Sequence, residues 1–168
     1  ARTARELQAR MKASGGQLRT GFVGTPLLCG ALTKAGLVDQ AFNLLVNEEC
    51  PGWLFEVKMG ATTVWEHWDS VRPDGTIDEN GMNSLNHYAY GAVLTWLWSD
   101  VAGLAPAAPG FTAAELAPHI HPVLGHIRGE YQSVSGPWEC GWEILKNGDI
   151  SYHCTVPDGC TAHLVLPY

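Results

Sequence analysis

Over the first hundred residues the apolar positions recur with the period of a helix, and beyond residue 110 they recur with a period of two. Ala4, Leu7 and Met11 share one face of a helix that reads from the N-terminus to a stop at Gly15-Gly16. The loop Thr20-Gly-Phe-Val-Gly-Thr-Pro26 follows, with Thr25 placed as an N-cap and Pro26 as the first helical residue. A helix from Pro26 to Ala35 stops at Gly36, and another runs from about Val38 to Asn47. So tight a turn predicts an antiparallel helical hairpin. Trp53 to Gly81 reads mostly as loop with short helical turns. One such turn, capped by Thr62 or Thr63, holds Val64-Trp65-Glu66-His67-Trp68. From Ser84 to about Ala102 the residues Leu85, Tyr88, Ala89, Ala92, Val93, Trp96 and Leu97 fit the helical template and predict one long helix. Its other face carries Tyr90, Leu94 and Trp98, so it is expected inside a large core.

Ala105-Pro-Ala-Ala-Pro-Gly110 reads as a linker by composition. After it Trp138, Cys140, Trp142 and Ile144 alternate, Asn147-Gly148 turns the chain, and Ile150, Tyr152, Cys154 and Val156 alternate again. This is a hairpin signal. Pro157-Asp158-Gly159 then turns into a third run with Ala162, Leu164 and Leu166. Helices first and strands last predict an α+β multidomain chain: a helical unit over 1–104, a linker over 105–110, and a compact antiparallel β unit over 111–168.

Composition narrows the function. The 168 residues are 46% hydrophobic and 16% charged, which excludes global disorder. No apolar run reaches the roughly 18 to 20 residues of a membrane span. A formal charge of -7 argues against nucleic acid as a partner. Seven Trp, five Tyr, four Phe and seven His among few charges suit a site for an uncharged polar ligand such as a sugar. The five cysteines show no CxxC pair or zinc spacing and read as buried free thiols of a reducing compartment. With no signal peptide in sight, the expected setting is cytoplasmic. A helix beginning at residue 1 reads as a start inside a larger domain, which weakens any targeting argument.

Glu66 stands between Trp65 and Trp68, and aromatic faces stack against the C–H faces of pyranose rings. Near a helix N-terminus the dipole would hold its carboxylate ionised, as a general base requires. Composition alone favours an ordinary helix-start Glu among packed indoles. Trp65 reads equally as pocket lining or as wall, Trp68 as core. His87 reads as a buried helix-start residue or, beside Asn83 and Asn86, as a ligand contact. Asp69 is expected to pair with Arg72, and Glu56 with Lys58 or Arg72. Gly21, Gly24 and Thr25 shape a loop. His119 and His121 fall on one side of a strand near His126, without a third metal ligand.

Three ordered blocks then carry a resemblance: Thr20-Gly-Phe-Val-Gly-Thr-Pro-Leu27, Trp53-Leu-Phe-Glu-Val-Lys-Met-Gly-Ala-Thr-Thr-Val-Trp-Glu-His-Trp-Asp-Ser70, and Gly81-Met-Asn-Ser-Leu-Asn-His-Tyr-Ala-Tyr-Gly91. Over about residues 18 to 104 the chain resembles the C-terminal part of the bacterial α-L-rhamnosidases, inverting glycoside hydrolases with a six-hairpin (α/α)6 barrel. The tail is weakly similar to their C-terminal β-sandwich. The resemblance implies a partial (α/α)6 barrel followed by a small antiparallel β-sandwich, and cleavage of terminal α-L-rhamnose from rhamnose-containing glycosides. It implies Glu66 as general base and His87 as a contact to the sugar; Trp65, read above as pocket lining or wall, is the further candidate for binding the sugar. His67 stands where most of the family carries Arg. It further implies a general acid upstream of this chain, so that the 168 residues alone are inactive, and it implies no metal or organic cofactor. A barrel of twelve helices exceeds what this chain supplies, so self-association or packing against the missing wall is expected. Two other readings stay open: another six-hairpin glycosidase, or a non-catalytic carbohydrate-binding or interaction module.

Overall fold

The computed structural model describes residues 2–77 and 82–166. Ala1, Gly81 and Tyr168, which bound readings made above, lie outside the described residues. The chain divides into two compact units, Ala1–Val93 and Leu94–Tyr168.

The first unit is helical. α1 (Arg2–Ala13) buries Met11, with Ala4 and Leu7 half-buried on the same side. Past its end the Ser14 hydroxyl donates to the Met11 carbonyl at 2.8 Å. α2 (Thr25–Lys34) and α3 (Val38–Leu45) form the expected hairpin, turning at Gly36 with φ 75°. Leu32, Ala41, Phe42 and Leu44 have no exposed surface and zip the two helices together. Thr25 is not the cap. Gly24 takes that place, and the Thr25 hydroxyl, 1% exposed, donates to the Thr20 carbonyl at 2.9 Å and so closes the loop between them. α4 (Trp53–Lys58) is the short helical turn expected in that stretch.

Two helical readings fail. No helix forms over 64–68, and none begins at Ser84. Glu66 N–H and His87 N–H bond across between those segments, to the Ser84 and Val64 carbonyls, in place of i→i−4 bonds. Helix resumes with a 3₁₀ turn at Tyr90–Ala92, continues as α5 (Val93–Trp96) and ends in a π turn at Leu97–Val101. Among the described residues no helix is long and apolar enough to cross a membrane.

The second unit holds two three-stranded sheets. In the first, β1 (Leu104–Pro106) pairs antiparallel with β2 (Ala113–Leu116), and β2 pairs parallel with β6 (Thr161–Leu164). Part of the stretch read as a linker is therefore a strand, and the third run does not extend the hairpin but joins the other sheet. The second sheet is antiparallel: β3 (His126–Ser133), β4 (Gly136–Ile144) and β5 (Ile150–Thr155). Trp138, Cys140 and Trp142 alternate inward as expected and are at most 1% exposed. Trp138 and Cys140 close a core with Ala102, Leu104, Ala114 and Leu116. Trp142 Nε1 donates to the Val101 carbonyl at 2.8 Å. A Cβ on Gly129 would lie 2.5 Å from the Trp98 ring, so β3 accepts that indole only because this residue has no side chain.

Candidate active site

Residues 63–70 and 82–87 have no regular secondary structure, yet they are laced together closely. Glu66 N–H donates to the Ser84 carbonyl at 2.9 Å, and His87 N–H donates to the Val64 carbonyl at 2.8 Å. The Thr63 hydroxyl donates to the Leu85 carbonyl. Ser70, 1% exposed, fastens the far end: its hydroxyl accepts from His67 N–H at 3.1 Å and donates to Asn83 Oδ1 at 2.6 Å. Asn83 Nδ2 answers at the Ser70 carbonyl at 3.3 Å. This clasp, not a helix end, positions Glu66.

The Glu66 side chain is half-buried, and its Oε2 accepts the Ser84 N–H at 2.9 Å. The dipole of a helix N-terminus, invoked from the sequence, is absent here. One backbone N–H aimed at the carboxyl group fixes one of its oxygens in place instead. His87 is also half-buried. Its Nδ1 accepts from Ala89 N–H at 3.4 Å, which puts the proton of the neutral ring on Nε2. That nitrogen is a hydrogen-bond donor, suited to a sugar hydroxyl. The ring lies 5.7 Å from Phe22 in tilted contact, beside an open hollow lined also by Val23, Pro26 and Tyr88. The glycine-rich loop thus stands next to His87.

Trp65 is 4% exposed and Trp68 8%, so both indoles belong to the core. Trp68 stacks on Tyr90 with centroids 3.8 Å apart and meets the edge of Trp53 at 5.3 Å. Trp53 Nε1 donates to the Tyr90 carbonyl at 2.9 Å. The stacking role for Trp65 finds no exposed face. Burial raises the Tyr90 hydroxyl above its ordinary pKa, and the charges of Glu56, Asp69 and Glu66 raise it further.

Glu56 is the residue that sequence reasoning placed wrongly. Lys58, one of its two expected partners, pairs with Glu48 instead, and the charge of Arg72, the other, is not among those acting on Glu56. Glu56 is 4% exposed, its Oε2 accepts Trp65 N–H at 3.3 Å, and its Oε1 has no hydrogen-bond partner among the described residues. Burial pushes its pKa up to about 7 against the lowering effect of the Trp65 bond. The available signal was position: Glu56 lies one turn after Trp53, on the face that α4 turns inward. Asp69 is exposed. His119 sits in a loop, not on a strand, with its N–H and Nδ1 on the Asp100 carbonyl at 2.8 and 3.1 Å. Among the described residues no three His, Cys, Asp or Glu side chains converge as a metal site would require.

Comparison with known proteins assigns the chain. Residues 1–101 match the family model of the bacterial alpha-L-rhamnosidase 6 hairpin glycosidase domain, and residues 103–168 match that of the bacterial alpha-L-rhamnosidase C-terminal domain. A curated alpha-L-rhamnosidase of Alteromonas sp. is 38% identical over 163 residues, which is 96% of this chain and 18% of the relative. The crystal structure of the Streptomyces avermitilis alpha-L-rhamnosidase, complexed with L-rhamnose, superposes with a TM-score of 0.89 at 37% identity. It covers 96% of this chain and 16% of that one. The native Aspergillus terreus enzyme superposes at 0.92 and 35% identity, over 98% of this chain and 19% of that one. The chain thus spans about a sixth of the length of the relatives it matches. It belongs to the bacterial α-L-rhamnosidase family, as part of the six-hairpin glycosidase domain joined to the C-terminal domain.

Proposed function

We propose that this chain supplies the general-base side of an α-L-rhamnosidase active site, with hydrolysis proceeding by inversion. The observation that carries the reading is the Glu66 carboxylate, held through Oε2 by Ser84 N–H on a clasp that also holds His87. In an inverting glycosidase one carboxylate takes a proton from water as that water attacks the anomeric carbon. A carboxylic acid on the opposite face protonates the leaving oxygen, and the two groups stand roughly 6.5 to 9.5 Å apart. Glu66 is the base. The acid belongs to a part of the enzyme outside these 168 residues, so the chain by itself does not turn over substrate. His87 donates from Nε2 to a rhamnose hydroxyl. Trp65, buried and next to Glu66 in the sequence, serves the core and not the sugar. The substrates are glycosides ending in α-L-rhamnose.

Replacement in an α-L-rhamnosidase of full length carrying these residues tests the assignment. Glu66→Gln keeps the shape but cannot accept the proton, so kcat on an aryl rhamnoside falls on the order of 10² to 10⁴-fold while L-rhamnose still binds. His87→Ala instead weakens rhamnose binding by about 1 to 3 kcal/mol. Near-normal kcat in Glu66→Gln removes the base from this position.

Phe22, Val23, Leu27, Met82 and Tyr88 are between 47% and 86% exposed. So much uncovered apolar surface in the first unit supports packing against further barrel helices in a full-length enzyme, or self-association of the 168-residue chain. Light scattering that shows a strict monomer at high concentration excludes the second outcome.

A further inference from the structure

We infer that Glu56 is a positioning residue for both Glu66 and His87, acting through the single peptide group between Val64 and Trp65. The inference rests on the roles proposed for those two residues. The peptide group is pinned at both ends. Its N–H, on Trp65, donates to Glu56 Oε2 at 3.3 Å, and its carbonyl, on Val64, accepts from His87 N–H at 2.8 Å. The next peptide donates Glu66 N–H to the Ser84 carbonyl at 2.9 Å, and Ser84 N–H returns to Glu66 Oε2 at the same distance. Glu56 is thus the root of a chain of bonds running from α4 to the backbone of the sugar contact and, one residue along, to the proposed base.

No other group on α4 makes this connection. Glu56 and Trp65 are both 4% exposed, so water is not at hand to replace a lost acceptor. The titratable groups on which the Glu56 charge acts are Cys50 and Tyr90. Neither supplies a positive charge, and among the described residues the carboxyl is not held as half of an ion pair. Its bare Oε1 makes it a poor choice for stability alone, since a buried polar atom without a partner destabilises the fold. What remains is geometric: a rigid side chain one turn into a helix, reaching the peptide before the base.

Reach and charge are separable. Glu56→Gln keeps the reach and an acceptor oxygen but removes the charge, whereas Glu56→Asp keeps the charge and withdraws the acceptor by one methylene. In the full-length enzyme Gln is expected to hold kcat within about 3-fold. Asp is expected to lower kcat by about 10-fold or more, with KM changed by less than about 3-fold, because misplacement of a reacting group acts on the transition state. In the 168-residue chain, exchange of the Trp65 amide hydrogen should stay slow in the wild type and Gln, and quicken about 10-fold or more in Asp. The opposite order of activities, equal loss in both variants, or wild-type kcat in Asp with a fast-exchanging Trp65 amide overturns the inference. Glu66→Gln assayed alongside keeps the two ideas apart. If that variant is fully active, the base assignment fails whatever Glu56 does. If it is inactive while Glu56→Asp matches the wild type, only the positioning role fails.

Discussion

The two units solve the same problem in opposite ways. In Leu94–Tyr168 the strand backbone is satisfied by regular ladders, and an apolar core of Trp138, Cys140, Leu104 and Leu116 sits between the sheets. In Ala1–Val93 the segments that carry Glu66 and His87 have no ladder. There the side chains of Ser70, Asn83, Thr63 and Glu56, together with the carboxylate of Glu66 itself, take over the backbone's hydrogen bonds. A ladder fixes strands by repetition, so each bond is replaceable. A clasp fixes one geometry through a few bonds, each of which matters to where a carboxylate points. The chemistry proposed here is placed on the second kind of structure.

The contrast breaks most visibly in the regular unit. Trp138→Ala empties the centre of its core and should cost about 3 to 5 kcal/mol. Chemical denaturation that detects less than about 1 kcal/mol would show that the sheets do not depend on this core. Next in size is a pH effect confined to the clasp. The Glu56 carboxyl has a folded pKa of about 7, above its ordinary 4.5. The folded state therefore keeps a proton that the unfolded chain releases, and stability falls as pH rises from about 4.5 to about 7. Glu56→Gln lacks that fall. Its stability should gain on the wild type by about 2 kcal/mol across the window, a figure discounted for solvent screening, and stay level above it. Melts at pH 4.5, 6 and 8 give the answer, and a constant gap contradicts it. The smallest effect sharpens the comparison at one bond. Ser70→Ala removes the hydroxyl that joins His67 N–H to Asn83, and should cost about 1 to 2 kcal/mol. It should also speed amide exchange at Glu66 while leaving β3 to β5 untouched.

What the sequence discloses follows the same division. The α2–α3 hairpin and the β4–β5 hairpin are both legible, because period and turn residues act locally: Gly36 stops one helix, and Asn147-Gly148 sets the register Ile144 to Ile150. β3 is not legible, since an outer strand with Ile127 and Tyr131 as its only large apolar residues carries little alternation. β1 is hidden in Ala and Pro and exists only because β2 pairs with it. The Ser84 helix is the instructive failure. Leu85, Tyr88 and Ala89 fit the helical template, yet the carbonyls of residues 84 and 85 accept bonds from Glu66 and Thr63, and the His87 amide donates to Val64, about twenty residues away in sequence. Tyr88, counted with the core, is 85% exposed. The family motif pointed to Glu66 and His87 without any of this, whereas the support inferred from Glu56 depends on a distance that no local pattern encodes.

The fastening of Ser70 to Asn83 also bears on how such an enzyme diversifies. The two residues meet at the ends of one loop, through the Ser70 hydroxyl and the Asn83 side chain. Within that loop Val71 and Ile77 form a small bridge of their own, and the Thr76 carbonyl accepts Arg72 N–H at 2.8 Å. Doubling the length of a closed loop costs only about 0.6 kcal/mol in chain entropy. On that scale a change of length between the two fasteners carries a small entropic cost, and the bonds between Glu66 and Ser84 lie outside them.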